Sequence, residues 1–125
     1  VIQIYDEDFD IEHELVLDVK ERPITDSDMD YHFPEKSRIE KRERRELIED
    51  IKPPFTRVLI DNQNQFWLET DETDEGREIV VLDYEGNPLG RFLIPSNNHL
   101  HDIRNNKIYL ANNALEQVEV YSVDL

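Results

Sequence analysis

Apolar residues in this chain recur at every second position in several short runs, the spacing of a half-buried β-strand. Three runs share one layout: 1–10 (VIQIYDEDFD), 78–87 (EIVVLDYEGN) and 117–125 (QVEVYSVDL). Ile2 with Ile4, Ile79 with Val81, and Val118 with Val120 mark the alternation, and the first two runs then meet an acidic turn at Asp6 or Asp83. The second turn, DYEGNP, has hairpin chemistry, because Gly86 and Asn87 can take positive φ. A further strand follows each turn, IEHELVLDV after the first and LGRFLIP after the second, so the pattern predicts two copies of one hairpin.

A different hairpin repeats between them. Residues 55–70 (FTRVLIDNQNQFWLET) and 100–113 (LHDIRNNKIYLANN) each hold an apolar strand, an Asn-containing turn and an aromatic strand. Phe66-Trp67-Leu68 aligns with Ile108-Tyr109-Leu110 at a spacing of 42, and Val81 aligns with Val120 at 39. A period of about 40 with four strands per unit is the signature of a β-propeller blade. Ile4 to Val81 spans 77 residues, nearly two such periods, yet only one unit of strand pattern lies between them.

The surplus is not strand-like. In ERPITDSDMDYHF, Thr25, Asp26 or Ser27 is placed to N-cap a short helix, and a longer one is predicted over Glu35–Lys52, with Pro34 near its first turn and Pro53 and Pro54 beyond its end. The expected architecture is therefore mainly β: antiparallel four-stranded propeller blades with an inserted pair of helices. Residues 1–20 form an outer hairpin (strands C and D), 21–54 the helical insertion, 55–96 a complete blade, and 97–125 strands A to C of the last blade. Val1 already lies in a strand, and the last unit lacks its D strand. Both features suit the C-terminal part of a longer propeller whose missing strand comes from the other terminus.

Charge narrows the function classes. The 125 residues carry 30 acidic against 14 basic side chains, a net charge of −16, and no cysteine. Disulfides, thiolate zinc sites and cysteine nucleophiles are excluded. Nucleic acid is not an expected partner, since its affinity comes from Lys and Arg releasing counterions. No stretch has the length and apolarity of a membrane span. The helix expected over 35–52 departs from the rest, with seven basic and six acidic residues, among them the i, i+4 pairs Glu40–Arg44, Arg42–Glu46 and Arg45–Glu49. Its apolar stripe is narrow, which fits a helix resting on one propeller face or a partner-docking element in which Arg42 and Arg45 make contact.

The series IDNQNQFWLET, IVVLDYEGNPLGRFLIP and IRNNKIYLANN resembles the bacterial six-bladed β-propellers related to the NHL-repeat and TolB-like groups. Asn64 stands where the group's turn has Gly, and Phe9 stands in the turn position that Gly86 holds in the later copy. The resemblance implies a bacterial, exported (periplasmic or extracellular) protein with an axial binding face. It also implies an alternative, a calcium-assisted lactonase or esterase whose ligands come mainly from other blades.

Several short stretches carry candidate chemistry. DEDFDIEHE (6–14) offers carboxylates but fails the EF-hand spacing, since Ile11 and Leu17 fall where Gly and Glu are required, and it reads as a solvated turn. TDETDEG (70–76) lies where the loop between strands B and C is expected, with Asp71, Asp74 and Glu75 as possible ligands of a hard cation. In NNHLHD (97–102), His99 and His101 are two apart and would share one strand face, with Asp102 able to orient a ring nitrogen, so these three are the metal candidates, with Ca2+ as the candidate ion. His13 and His32 have no nameable partner. Trp67 and Tyr109 occupy equivalent B-strand positions, where an aromatic packs between blades or stacks on a glycan or peptide. The expected function is a binding or scaffold module for a protein or glycan, completed by other blades of its parent chain or by self-association, such as a trimer of two-blade chains, through open strand edges.

Overall fold

The computed structural model describes residues 1–17, 22–48, 51–112 and 116–123. Its elements are β1 (Ile2–Tyr5), β2 (Ile11–Leu15), α1 (Asp26–His32), α2 (Arg38–Leu47), β3 (Arg57–Ile60), β4 (Phe66–Thr73), β5 (Gly76–Leu82), β6 (Pro88–Ile94), β7 (Asn98–Arg104), β8 (Lys107–Asn112) and β9 (Gln117–Ser122). The protein is mainly β, as the alternation predicts, with two helices. Its strands form three antiparallel sheets: a first sheet β1-β2, a central sheet β3-β4-β5-β6 and a terminal sheet β7-β8-β9. None closes on itself among the described residues. The expected end of the second strand at 18–20, the Glu49 partner of Arg45 and the chain end at 124–125 lie outside the described residues.

Three turns share one device. The carboxylate of Asp6 accepts the backbone N–H groups of Asp8 and Asp10; that of Asp61 accepts those of Gln63 and Gln65; that of Asp83 accepts those of Glu85 and Asn87. One aspartate thereby satisfies the turn's inward-pointing donors, the Asx-turn chemistry that makes Asp a strand terminator here. The fourth residue of each turn is left-handed: Phe9 at φ 63°, Asn64 at 57° and Gly86 at 94°. The two departures from Gly thus adopt the glycine-like conformation anyway. Gly86 has a second reason to be Gly, because a Cβ there would lie 2.7 Å from Leu15 Cδ1.

The sheets stack face to face through the central one. Phe66, Leu68 and Leu82 pack against Ile2 and Leu15 of the first sheet. On the opposite face, Trp67, Ile79 and Val81 pack against Leu100, Ile103, Ile108 and Leu110 of the terminal sheet. Neighbours along each strand face opposite cores, which is why Phe66-Trp67-Leu68 of β4 and Ile79-Val80-Val81-Leu82 of β5 are unbroken apolar runs. His13, without a partner on sequence grounds, stacks on the Tyr84 ring at 3.8 Å, and its Nε2 lies 2.7 Å from the Tyr84 carbonyl, tying the first sheet to the central one.

Both helices open with a capping box. Thr25 and Asp28 cap α1, and Ser37 and Glu40 cap α2. Ser37 starts α2 three residues later than the Glu35 expected from the charge pattern. It ends at Leu47, with Ile48 extended at φ −109° and ψ 160°. Lys52, expected as its last residue, lies beyond it, next to an antiparallel bridge between Pro23 and Ile51. Neither helix is long and apolar enough to cross a membrane.

Candidate functional site

The insertion is clamped to one end of the central sheet by charges. Lys52 Nζ lies 2.8 Å from Asp28 on α1 and 3.1 Å from Asp71 on β4. Arg22 donates to the carbonyl oxygens of Pro53 (2.7 Å) and Thr70 (3.0 Å), and sits 3.6 Å from Asp71. Burial favours the neutral forms of Lys52 and Asp28, but their pairing outweighs it. The Lys52 ammonium is held above its usual range by Asp28 and Asp71. Lys52 and the Thr25 cap hold the Asp28 carboxyl below its own.

A cavity of about 460 Å3 lies between α1, the residues that follow α2 and the sheet end. Met29, Phe33 and Ile48 give it an apolar lining, and Lys52, Asp71, Glu72 and Arg77 a rim of mixed charge. Arg44 lies over the half-buried Phe33 ring, with its guanidinium carbon 5.0 Å from the ring centre. Such a cavity can bury an apolar side chain while the rim hydrogen-bonds polar groups beside it.

A polar network runs from this cavity into the core. Arg77, 8% exposed, donates to the carbonyls of Asn98 (3.0 Å) and Ser96 (2.9 Å) and to Glu72 (3.1 Å), which also accepts from the Tyr31 hydroxyl. Arg77 also approaches His99 Nε2 at 3.4 Å. The His99 Nδ1 faces Glu69 at 3.4 Å. Glu69, 2% exposed, accepts the Leu100 N–H at 2.9 Å with its other oxygen. His99 of β7 thus lies between Arg77 of β5 and Glu69 of β4, linking the terminal sheet to the central one.

The other sequence candidates are placed as follows. A bulge at His101 lets Leu100 pair with Leu110 and Asp102 with Tyr109. His101 is exposed, and Asp102 bonds its neighbour Ile103 N–H and Arg104 (2.7 Å) rather than a histidine ring. Among the described residues no group of three His, Cys, Asp or Glu side chains is gathered that could hold a metal ion. Trp67 is 1% exposed, and its indole N–H donates to Asp61 at 2.9 Å, so it is core and offers no face for a sugar. Tyr109 is half-buried on the side of the terminal sheet away from the central one. Arg42 is exposed in a groove of about 550 Å3 between α1 and α2, where the half-buried Arg45 reaches the Ile24 carbonyl at 3.5 Å.

The acidic stretch 70–76 is mostly strand, with only Asp74 and Glu75 in the turn. Sequence reasoning missed Arg22, Glu69, Glu72 and Arg77. The available signal was a charge at a core-facing position of an apolar strand: Glu69 two residues after Trp67, and Arg77 two before Ile79. Compared with models of known families, with curated proteins and with solved structures, the chain matches none of them.

Proposed function

We propose that the three sheets are successive blades of a propeller and that the chain is a protein-binding module. Its partner places an apolar side chain in the cavity between α1 and the central sheet. The observation that carries this reading is the cavity itself: about 460 Å3, apolar inside and charged at the rim, in a place where the insertion is held by ion pairs rather than by a continuous apolar seam. A peptide suits it better than a glycan, because the indole best suited to stack on a sugar is buried. The stacked sheets and the recurring Asp turn support the propeller reading.

The test is a nuclear magnetic resonance titration of the labelled chain with two panels, short peptides anchored by Leu, Met or Phe, and neutral oligosaccharides. Peptides are expected to shift Met29, Phe33 and Ile48, and Ile48→Glu is expected to weaken them about tenfold. Shifts confined to the sheets, or produced by the oligosaccharides instead, would replace this reading.

A further inference from the structure

The wall of the cavity holds a buried arginine with one nitrogen left over. Arg77 is 8% exposed and lines the cavity together with Met29, Phe33 and Ile48. Its Nε donates to the Asn98 carbonyl at 3.0 Å. Its Nη2 serves the Ser96 carbonyl at 2.9 Å and Glu72 at 3.1 Å, and approaches His99 at 3.4 Å. Nη1 has no partner among the described residues. A guanidinium is a rigid planar fork of donors that never loses its charge, so with Nε and Nη2 committed the donors on Nη1 are the ones open to a ligand.

The committed bonds also hold that fork still. Asn98 and Ser96 grip it from the start of β7 and the turn before it, while Glu72 of β4 grips it from the other sheet strand and itself accepts the Tyr31 hydroxyl of α1 at 3.2 Å. Nη1 is therefore in place before anything binds, and binding need not order it. An apolar side chain entering alone would desolvate these donors and offer nothing in return, which is the costly case for a buried polar group. An occupant that carries an oxygen beside its apolar side chain avoids that cost.

Charge decides which oxygen. The lining already sets the carboxylates of Asp28, Asp71 and Glu72 against the cations of Lys52 and Arg77, in a chain whose net charge is −16. A further carboxylate meets repulsion there, whereas a neutral carbonyl does not. We propose that Arg77 Nη1 is the specificity-determining contact of the cavity and takes a backbone carbonyl next to the apolar anchor. The partner then enters by an internal segment of its chain and not by a free C-terminus. The assignment rests on the cavity being the partner's docking site. A hydrocarbon lacks the oxygen, and a free acid carries the wrong charge.

The probes are acetyl-Ala-Phe-Ala-amide, with carbonyls on both sides of its anchor, acetyl-Ala-Phe as the free acid, and toluene. Each is titrated into the full chain, isotope-labelled at arginine nitrogens and at Met and Ile methyls, and followed by nuclear magnetic resonance. The amide peptide is expected to shift the Arg77 Nη resonances together with the methyls of Met29 and Ile48, and to bind about tenfold tighter than the free acid. Toluene is expected to move the methyls and leave the Arg77 Nη resonances in place. Arg77→Lys is expected to weaken the amide peptide at least about tenfold with toluene little changed, a split that a merely structural role would not produce. Should that variant not fold, the Arg77 Nη shift in the unaltered chain decides. Methyl shifts from the amide peptide without a shift at Arg77, or tighter binding of the free acid, would overturn the assignment and leave the cavity reading standing. Absence of methyl shifts with every probe would overturn the cavity reading and the assignment with it.

Discussion

The central and terminal sheets are built from aligned sequence but live in different surroundings. In the central sheet, β4 and β5 bury side chains on both faces, so Phe66 and Trp67, adjacent in sequence, are each 1% exposed. In the terminal sheet, Ile108 is 2% exposed and its neighbour Tyr109 is only half-buried, because among the described residues no sheet covers the far side. Val118 and Val120 share that uncovered side, at 61% and 51% exposure. The same strand pattern therefore gives a two-sided core in one unit and a half-open one in the next. A side chain's contribution here is set by how many sheets flank it, more than by its place in the repeat.

The widest expected difference comes from the two aromatics. Trp67→Ala should cost about 3–5 kcal/mol, because it opens a cavity and strands Asp61. Tyr109→Ala should cost less than about 1 kcal/mol. Urea unfolding of both variants measures this, and equal losses would mean that something covers the terminal sheet in solution. Next is the contact between the sheets. Glu69→Ala leaves the buried Leu100 N–H without its acceptor and should cost about 1–3 kcal/mol, while Glu69→Gln, which keeps an acceptor, should cost less. If the two variants unfold together, the Leu100 bond is not what joins the sheets.

Titration should separate the insertion from the sheets more gently. The Asp28 pKa is depressed, so its contribution is present above the ordinary value of 3.8 and is lost as pH falls below it. The Lys52 pKa is raised, so its contribution is present below 10.5 and fades as pH rises past that value. Resonances of Met29 and Tyr31 should move at both extremes before those of Ile79 and Val81, and Lys52→Met should abolish the alkaline change. The smallest effect concerns the turns. Phe9 is left-handed and 85% exposed, so Phe9→Gly should stabilise by about 0.5–1 kcal/mol, strain relief outweighing the extra freedom of Gly in the unfolded chain. Thermal melts of this variant beside Asn64→Gly, expected to change little, would check it.

Much of the strand plan was legible because period-2 alternation and Asp turns are local. Asp6, Asp61 and Asp83 announce their turns within five residues, and Thr25 announces its helix within four, whereas the Ser37 cap that sets the start of α2 was missed beside Pro34. The candidate site was less legible. Arg22, Asp28, Lys52 and Asp71 come from four places in the chain, and nothing near any one of them names the other three.

Sequence alone determined where strands and turns form, since each rests on contacts within a few residues and on the alternation of apolar side chains. Tertiary structure decided which side chains meet, and two bulges show why. In β4, Glu69 pairs with Ile79 but Asp71 with Glu78, so the extra residue turns Asp71 toward the insertion and leaves Glu72 opposite Arg77. In β7, the same kind of bulge parts His101 from the register that strict alternation would share with His99. A single inserted residue inverts every face that follows it. Its position is chosen by the packing of one sheet on another, which no local pattern records.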